Sequence, residues 1–253
     1  MSRHVEMLRR AGLEAELFAP KLAARPAPVR ARDWAESALP PAGSGNSRDQ
    51  WQLLAQQLFL GSGRRLRASI GLASATAGEG TSYVALHLAA ELARSGSEPV
   101  LLLEANVHRP ALAERFAVEP DPGLLELLRA PDCPPEDCLR QTGVERLFLL
   151  PAGTNGNGGK AAPDWGGLRR LYPLLRERFA AIVVDLAPIN FSSDFLILGP
   201  LLDGLALVVE ADLCSREVIQ NAVARLRRAS PSVVGAILNK RKFVIPAPIY
   251  RRL

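Results

Sequence analysis

Short, almost uninterrupted apolar runs punctuate the chain between residues 68 and 240: ASIGLAS (68–74), PVLLLE (99–104), RLFLLPAG (146–153), AAIVVDLAP (180–188), GLALVVEAD (204–212) and VVGAILNK (233–240). A strand with one face in water alternates apolar and polar side chains. A strand covered on both faces does not, so these runs predict parallel strands buried between helices. Longer amphipathic segments separate them, at 82–95, 110–116, 124–129, 168–179 and 215–229. The alternation predicts a doubly wound α/β fold, a mostly parallel sheet flanked by helices. Ligands of such folds lie beyond the C-terminal ends of the strands, so the residues that follow each run are the candidates for function.

Upstream the pattern changes. RDQWQLLAQQLFL (48–60) has helical spacing and leads into a basic turn, GSGRRLR. Residues 19–47 are rich in Pro, Ala, Gly and Ser without a sustained apolar period, and read as a linker or a surface-draped arm. HVEMLRRAGLEAELF before them reads as a short amphipathic helix.

The first apolar run is followed by ATAGEGTSYV (75–84). A phosphate loop of the form G-x-x-x-x-G-K-[ST] lets backbone N–H groups converge on phosphates at a helix N-terminus, with Lys neutralising charge and the hydroxyl holding Mg²⁺. Here Ala75 takes the first glycine position, Gly78 and Gly80 supply the bends, Thr81 replaces Lys and Ser82 keeps the hydroxyl. The cradle is present and its charge is missing. The fourth run contains Asp185 at its polar end. A carboxylate there holds a metal or orients its water in Mg²⁺–nucleotide chemistry; its bland alternative is a cap on the following turn.

Composition narrows the setting. With 253 residues, 48% of them hydrophobic and 23% charged, the chain suffices for one sizeable core plus an irregular arm. No apolar run approaches the roughly 20 residues of a membrane span, and the N-terminus lacks the apolar stretch of a secretory signal, which predicts a cytoplasmic protein. Cys133, Cys138 and Cys214 have no partners to complete a zinc site and read as reduced thiols. An excess of 31 Lys+Arg over 26 Asp+Glu suits an acidic partner, an anionic membrane surface or nucleic acid, and equally a solvated basic surface. The bases are dispersed rather than interleaved with aromatics, which argues against nucleic acid.

The ordered set SATAGEGTSYVALHLAAELARSG, PVLLLEANVHRPALAERFAVEPDPGLLELL, LFLLPAG, FAAIVVDLAP, ALVVEAD and VVGAILNK resembles the cytoplasmic ATP-binding domain of the bacterial tyrosine kinases (BY-kinases) of polysaccharide export, within the MinD/ParA-like P-loop ATPases. RPAL, PGLLELL and LPAG distinguish this family from its cell-division relatives. The resemblance implies an arm and linker over 1–47, a degenerate BY-kinase-like P-loop domain over 48–240 and a basic tail over 241–253. It implies nucleotide contacts at Gly78, Glu79, Gly80, Thr81, Ser82, Arg109 and, towards adenine, Asn239. Mg²⁺, where it binds, falls to Ser82 and Asp185.

The departures from the family pattern point one way. Thr81 stands where the phosphate-binding Lys belongs, and Glu104 and Asn106 stand where the D-x-D carboxylates belong. Loss of charge stabilisation at a phosphoryl-transfer site removes several kcal/mol, since that chemistry rests on positioning and electrostatics. No residue is therefore assigned as catalytic, Thr81, Glu104, Asn106 and Asp185 being only the family-equivalent positions, and ATP or ADP with Mg²⁺ is expected to bind weakly or not at all. The tail carries a single tyrosine, Tyr250, where the kinases carry a cluster, and Asp49, Gln52 and Ala55 replace the E-x-x-R-x-x-R assembly pattern. The expectation is a pseudokinase that regulates or scaffolds exopolysaccharide synthesis with the cytoplasmic segment of a membrane co-polymerase or with a paralogous kinase. Lys240, Arg241, Lys242, Arg251 and Arg252 are candidates for peripheral contact with anionic lipid. The alternative is a weakly active ATP-binding tyrosine kinase or ATPase of the same pathway.

Overall fold

The computed structural model describes residues 47–60, 68–130, 133–154, 163–211, 213–229 and 232–240. The expected arm over 1–47, apart from Ser47, and the tail over 241–253 lie outside the described residues. The chain order is α1 (Ser47–Ala55), a π-helical turn (Gln56–Leu60), β1 (Ala68–Ser74), α2 (Thr81–Ser95), β2 (Val100–Glu104), α3 (Leu112–Arg115), α4 (Leu124–Arg129), α5 (Pro135–Cys138), β3 (Arg140–Gln141), β4 (Leu147–Leu150), α6 (Leu168–Arg178), β5 (Ala181–Asp185), α7 (Phe195–Leu198), β6 (Gly204–Glu210), α8 (Arg216–Ala229) and β7 (Val233–Asn239).

The strands form one sheet in the order β3-β4-β2-β5-β1-β6-β7. All neighbours are parallel except the short β3, which runs antiparallel to β4. The chain moves from β1 to β2 on one side and later to β6 and β7 on the other, so a crevice opens at the C-terminal end of β1. Register sets Asp185 beside both Leu72 of β1 and Glu104 of β2, which brings two carboxylates to that edge.

The uninterrupted apolar runs are explained by burial on both faces. Leu101, Leu103, Ile182, Val184, Leu205 and Leu207 point into a cluster with α4, α6, α7 and α8. Their neighbours Val100, Leu102, Ala181, Val183, Ala206 and Val208 point into a second cluster with α1 and α2. β7 departs from the expectation: among the described residues it pairs with β6 alone and is half-exposed, with Leu238 58% exposed.

α1 and the π-helical turn after it put Trp51, Leu54, Ala55, Leu58 and Phe59 on one stripe, the i, i+3, i+4 spacing of a helix face seated on a core. Trp51 stacks on His87 of α2 with ring centroids 5.0 Å apart, and Tyr83, 4.3 Å from His87 and 6.1 Å from Trp51, completes a cluster of three rings. His87 is buried with Nε2 unpaired. Burial, then the like charges of Arg94 and Arg115, push its imidazole down to about 4. A histidine depressed on folding contributes stability that is complete above its ordinary 6.5 and lost as pH falls towards 4. Replacing it by phenylalanine is expected to remove about 2 kcal/mol of acid sensitivity between pH 7 and pH 4, read by urea unfolding. An unchanged pH profile would show that the imidazole is protonated in place.

Candidate nucleotide site

The loop after β1 turns on two glycines in the left-handed region, Gly78 at φ 93° and Gly80 at φ 90°. A Cβ on Gly80 would lie 2.3 Å from Asn239 Nδ2, so only glycine lets the end of β7 approach the loop. Val84 N–H donates to the Gly80 carbonyl, which starts α2 at Thr81. The amides before that point have no carbonyl of their own helix to bond, and the positive end of a 15-residue helix faces the loop.

The Glu79 side chain turns inward and is fully buried. One oxygen accepts from Thr76 N–H at 2.6 Å and Thr76 Oγ1 at 2.9 Å, the other from Glu210 N–H at 3.1 Å. Its carboxylate braces the loop against the end of β6. Asn239 Nδ2 donates to the Glu79 carbonyl at 2.8 Å. Lys240 Nζ donates to the Gly78 carbonyl at 2.7 Å and pairs with Glu210 Oε2 at 2.7 Å. The Cys214 thiol lies 3.5 Å from Thr76 Oγ1, and all three cysteines are free, as the sequence implied.

Glu104 is held differently from a metal ligand. Its Oε1 accepts from the N–H groups of Ala111 and Leu112, each at 2.6 Å, and Oε2 from Ala152 N–H at 3.1 Å. The carboxylate therefore ties the start of α3 to the end of β4. The same corner joins two of the sequence motifs: Leu124 and Leu125 N–H donate to the carbonyls of Pro151 and Ala152, so PGLLELL docks on LPAG. Gly123 and Gly153 meet there, since a Cβ on Gly123 would lie 2.4 Å from Gly153 N. Exchanging Glu104 for glutamine keeps two acceptor bonds but sets its amide against Ala152 N–H. A loss of about 2 kcal/mol in urea unfolding is expected. A neutral result would mean that this cluster does not need the charge.

Asp185 is buried, and neither oxygen completes a hydrogen bond of ordinary geometry. Burial pushes its carboxyl up to about 7; the nearby Ser82 hydroxyl opposes the shift, Glu104 adds to it and Arg115 opposes it. Asn106 Oδ1 is also buried without a partner. The structure thus brings Asn239 to the loop and Asp185 to Ser82, while the exposed Arg109 stacks over Phe191 at 5.6 Å. Among the described residues there is no cluster of three or more metal-type side chains, and no helix long and apolar enough to cross a membrane.

No protein-family model matches the chain. It is 31% identical over 195 residues to the succinoglycan biosynthesis transport protein ExoP of Rhizobium meliloti, covering 75% of this chain and 24% of ExoP. The chain thus spans about a quarter of the length of that relative. It is 26% identical over 172 residues to the tyrosine-protein kinase CpsD of Streptococcus agalactiae, covering 68% of this chain and 74% of CpsD. The solved kinase domain of VpsO superposes with a TM-score of 0.64 at 27% identity, over 77% of this chain and 97% of that domain. The chain is homologous to the bacterial tyrosine kinases of exopolysaccharide biosynthesis.

The mostly parallel sheet with helices on both faces follows the expected fold. What the sequence does not announce is the use of Lys240 and Glu210. Lys240 reads as one of the lipid-facing tail bases, although its place directly after Asn239 is a signal that it shares that residue's position over the loop.

Proposed function

We propose that this chain is a catalytically degenerate BY-kinase-like protein that regulates or scaffolds exopolysaccharide synthesis or export. It acts with the cytoplasmic segment of a membrane co-polymerase or with a paralogous kinase. The observation that carries this reading is the commitment of Glu104: three backbone N–H groups occupy its carboxylate at a position where the family places a metal-site acid. With Thr81 in the lysine position and the neutral Asn106 nearby, too little charge is left for phosphoryl transfer. The test is an immunoblot for phosphotyrosine after incubation with Mg·ATP, alongside co-purification with the cytoplasmic segment of the co-polymerase. Complex formation without phosphotyrosine supports the reading. Phosphotyrosine that disappears in Asp185→Asn overturns it.

A second reading, residual binding of a nucleotide with Mg²⁺, is favoured by Asp185. A buried carboxylate without partners costs several kcal/mol unless a cation compensates it. The glycine turns and the Ser82 hydroxyl suit the phosphates and the metal. The missing lysine does not, so the site accommodates the group in part. Mg²⁺ bound there would neutralise phosphate charge; Asp185 and Ser82 would hold it.

A further inference from the structure

The loop lacks its own lysine, yet an ammonium sits on it. Lys240 Nζ is 2.7 Å from the Gly78 carbonyl, and its Cε lies 3.8 Å from where a Cβ on Gly80 would stand. The side chain is 47% exposed, so the charge is open to an incoming ligand. An ammonium has three protons, and the Gly78 carbonyl and Glu210 carboxylate take two. The ammonium end of the pair is open to water, Lys240 being 47% and Glu210 21% exposed, so the pair is worth about 1 kcal/mol and a group carrying several negative charges can compete for the ammonium. Two independent features mark the loop as a site for such a group: the two-glycine turn that leaves the first amides of a 15-residue helix without helical partners, and the buried Asp185 beside Ser82, neither of whose oxygens completes a hydrogen bond of ordinary geometry.

We propose, on the residual-binding reading above, that Lys240 is the cation of the glycine loop and supplies to a bound polyphosphate the charge that Thr81 does not. It arrives from the end of β7 rather than from the loop. Asn239, bonded to the Glu79 carbonyl, positions the strand end that delivers it. Glu210 has two roles: its backbone N–H braces Glu79, and its carboxylate holds the ammonium until a ligand competes.

The test is calorimetric titration of the full chain with Mg·ATP and, separately, Mg·tripolyphosphate, which has no base or ribose. Lys240→Met is expected to weaken both by about tenfold, the size of one charge-assisted contact. Glu210→Gln frees the ammonium without touching the backbone bond to Glu79, and is expected to tighten both about threefold. Combining the two substitutions should abolish that gain. Unchanged or tighter binding by Lys240→Met overturns the proposal, as does weakening confined to ATP, which would place Lys240 on the base. Should Lys240→Met fail to fold, as read by its melting curve, the sign of the Glu210→Gln effect still decides: no gain overturns the assignment. If the native chain binds neither ligand at millimolar concentration while Thr81→Lys binds, the residual-binding reading fails and the proposal with it. If the native chain binds and Lys240→Met is neutral, only the present proposal fails.

Discussion

Replacing Asp185 by asparagine is expected to stabilise the protein by about 2 kcal/mol at pH 8 and to destabilise it by about 1.5 kcal/mol at pH 4, where the native carboxyl is already protonated. The carboxyl is buried at the C-terminal end of β5 with neither oxygen in a hydrogen bond of ordinary geometry, and burial raises it from 3.8 to about 7. A group raised on folding contributes stability that is complete below its unfolded value and lost as pH rises through its folded one. The loss therefore accumulates between 3.8 and about 7. At roughly 1.4 kcal/mol per decade of proton affinity, the ionised form carries a penalty of about 4 kcal/mol. Asparagine avoids it but leaves its own amide short of partners, which returns about 2 kcal/mol. His87 changes stability in the opposite sense over part of the same range, and cancels because both proteins contain it. Urea unfolding at the two pH values reads the difference. An asparagine variant less stable than the native chain at pH 8 would mean that the carboxylate has a compensating partner in solution. A gain in stability accompanied by loss of Mg·ATP binding would mark Asp185 as a residue kept for function at the expense of folding.

The apolar pattern made most of this architecture legible, because strands buried on two faces leave a continuous run. β1 spans 68–74 and α4 spans 124–129, the bounds read from the sequence. β3, two residues held by backbone pairing to β4, has no apolar run to announce it. α5 and α7 are four residues each, too short for a helical period to show. β7 reads like the central strands but lies at the sheet edge, since composition records the apolar side chains and not what covers them. The site was legible where chemistry follows local spacing, as in Gly78, Gly80 and Ser82. It was illegible where chemistry depends on which elements meet. Glu104 reads as a displaced metal acid until α3 and Ala152 close on it, and Lys240 reads as a tail base until β6 and β7 carry it to the loop.

Exchanging Thr81 for lysine is expected to tighten Mg·ATP binding by about 100-fold without producing phosphotyrosine. Thr81 is the first residue of α2, and its backbone is already set by Gly80, so the change adds charge to an existing turn. A cation at a helix N-terminus opposes the helix dipole and costs about 0.3–1 kcal/mol of stability, small beside a charge-assisted bond from the new ammonium to phosphate. Turnover stays absent because the substitution leaves Glu104 on its three backbone donors and Asn106 neutral. Calorimetry and a phosphotyrosine blot on the same preparation separate the two outcomes. No gain in binding would show that the amides of the loop do not converge on a phosphate, and turnover would show that the Glu104 carboxylate is free to leave its structural bonds. In the Thr81→Lys background the loss caused by Lys240→Met should shrink, because one phosphate cluster then has two cations competing for it. That loss of additivity is the signature of Lys240 and the restored lysine serving one ligand.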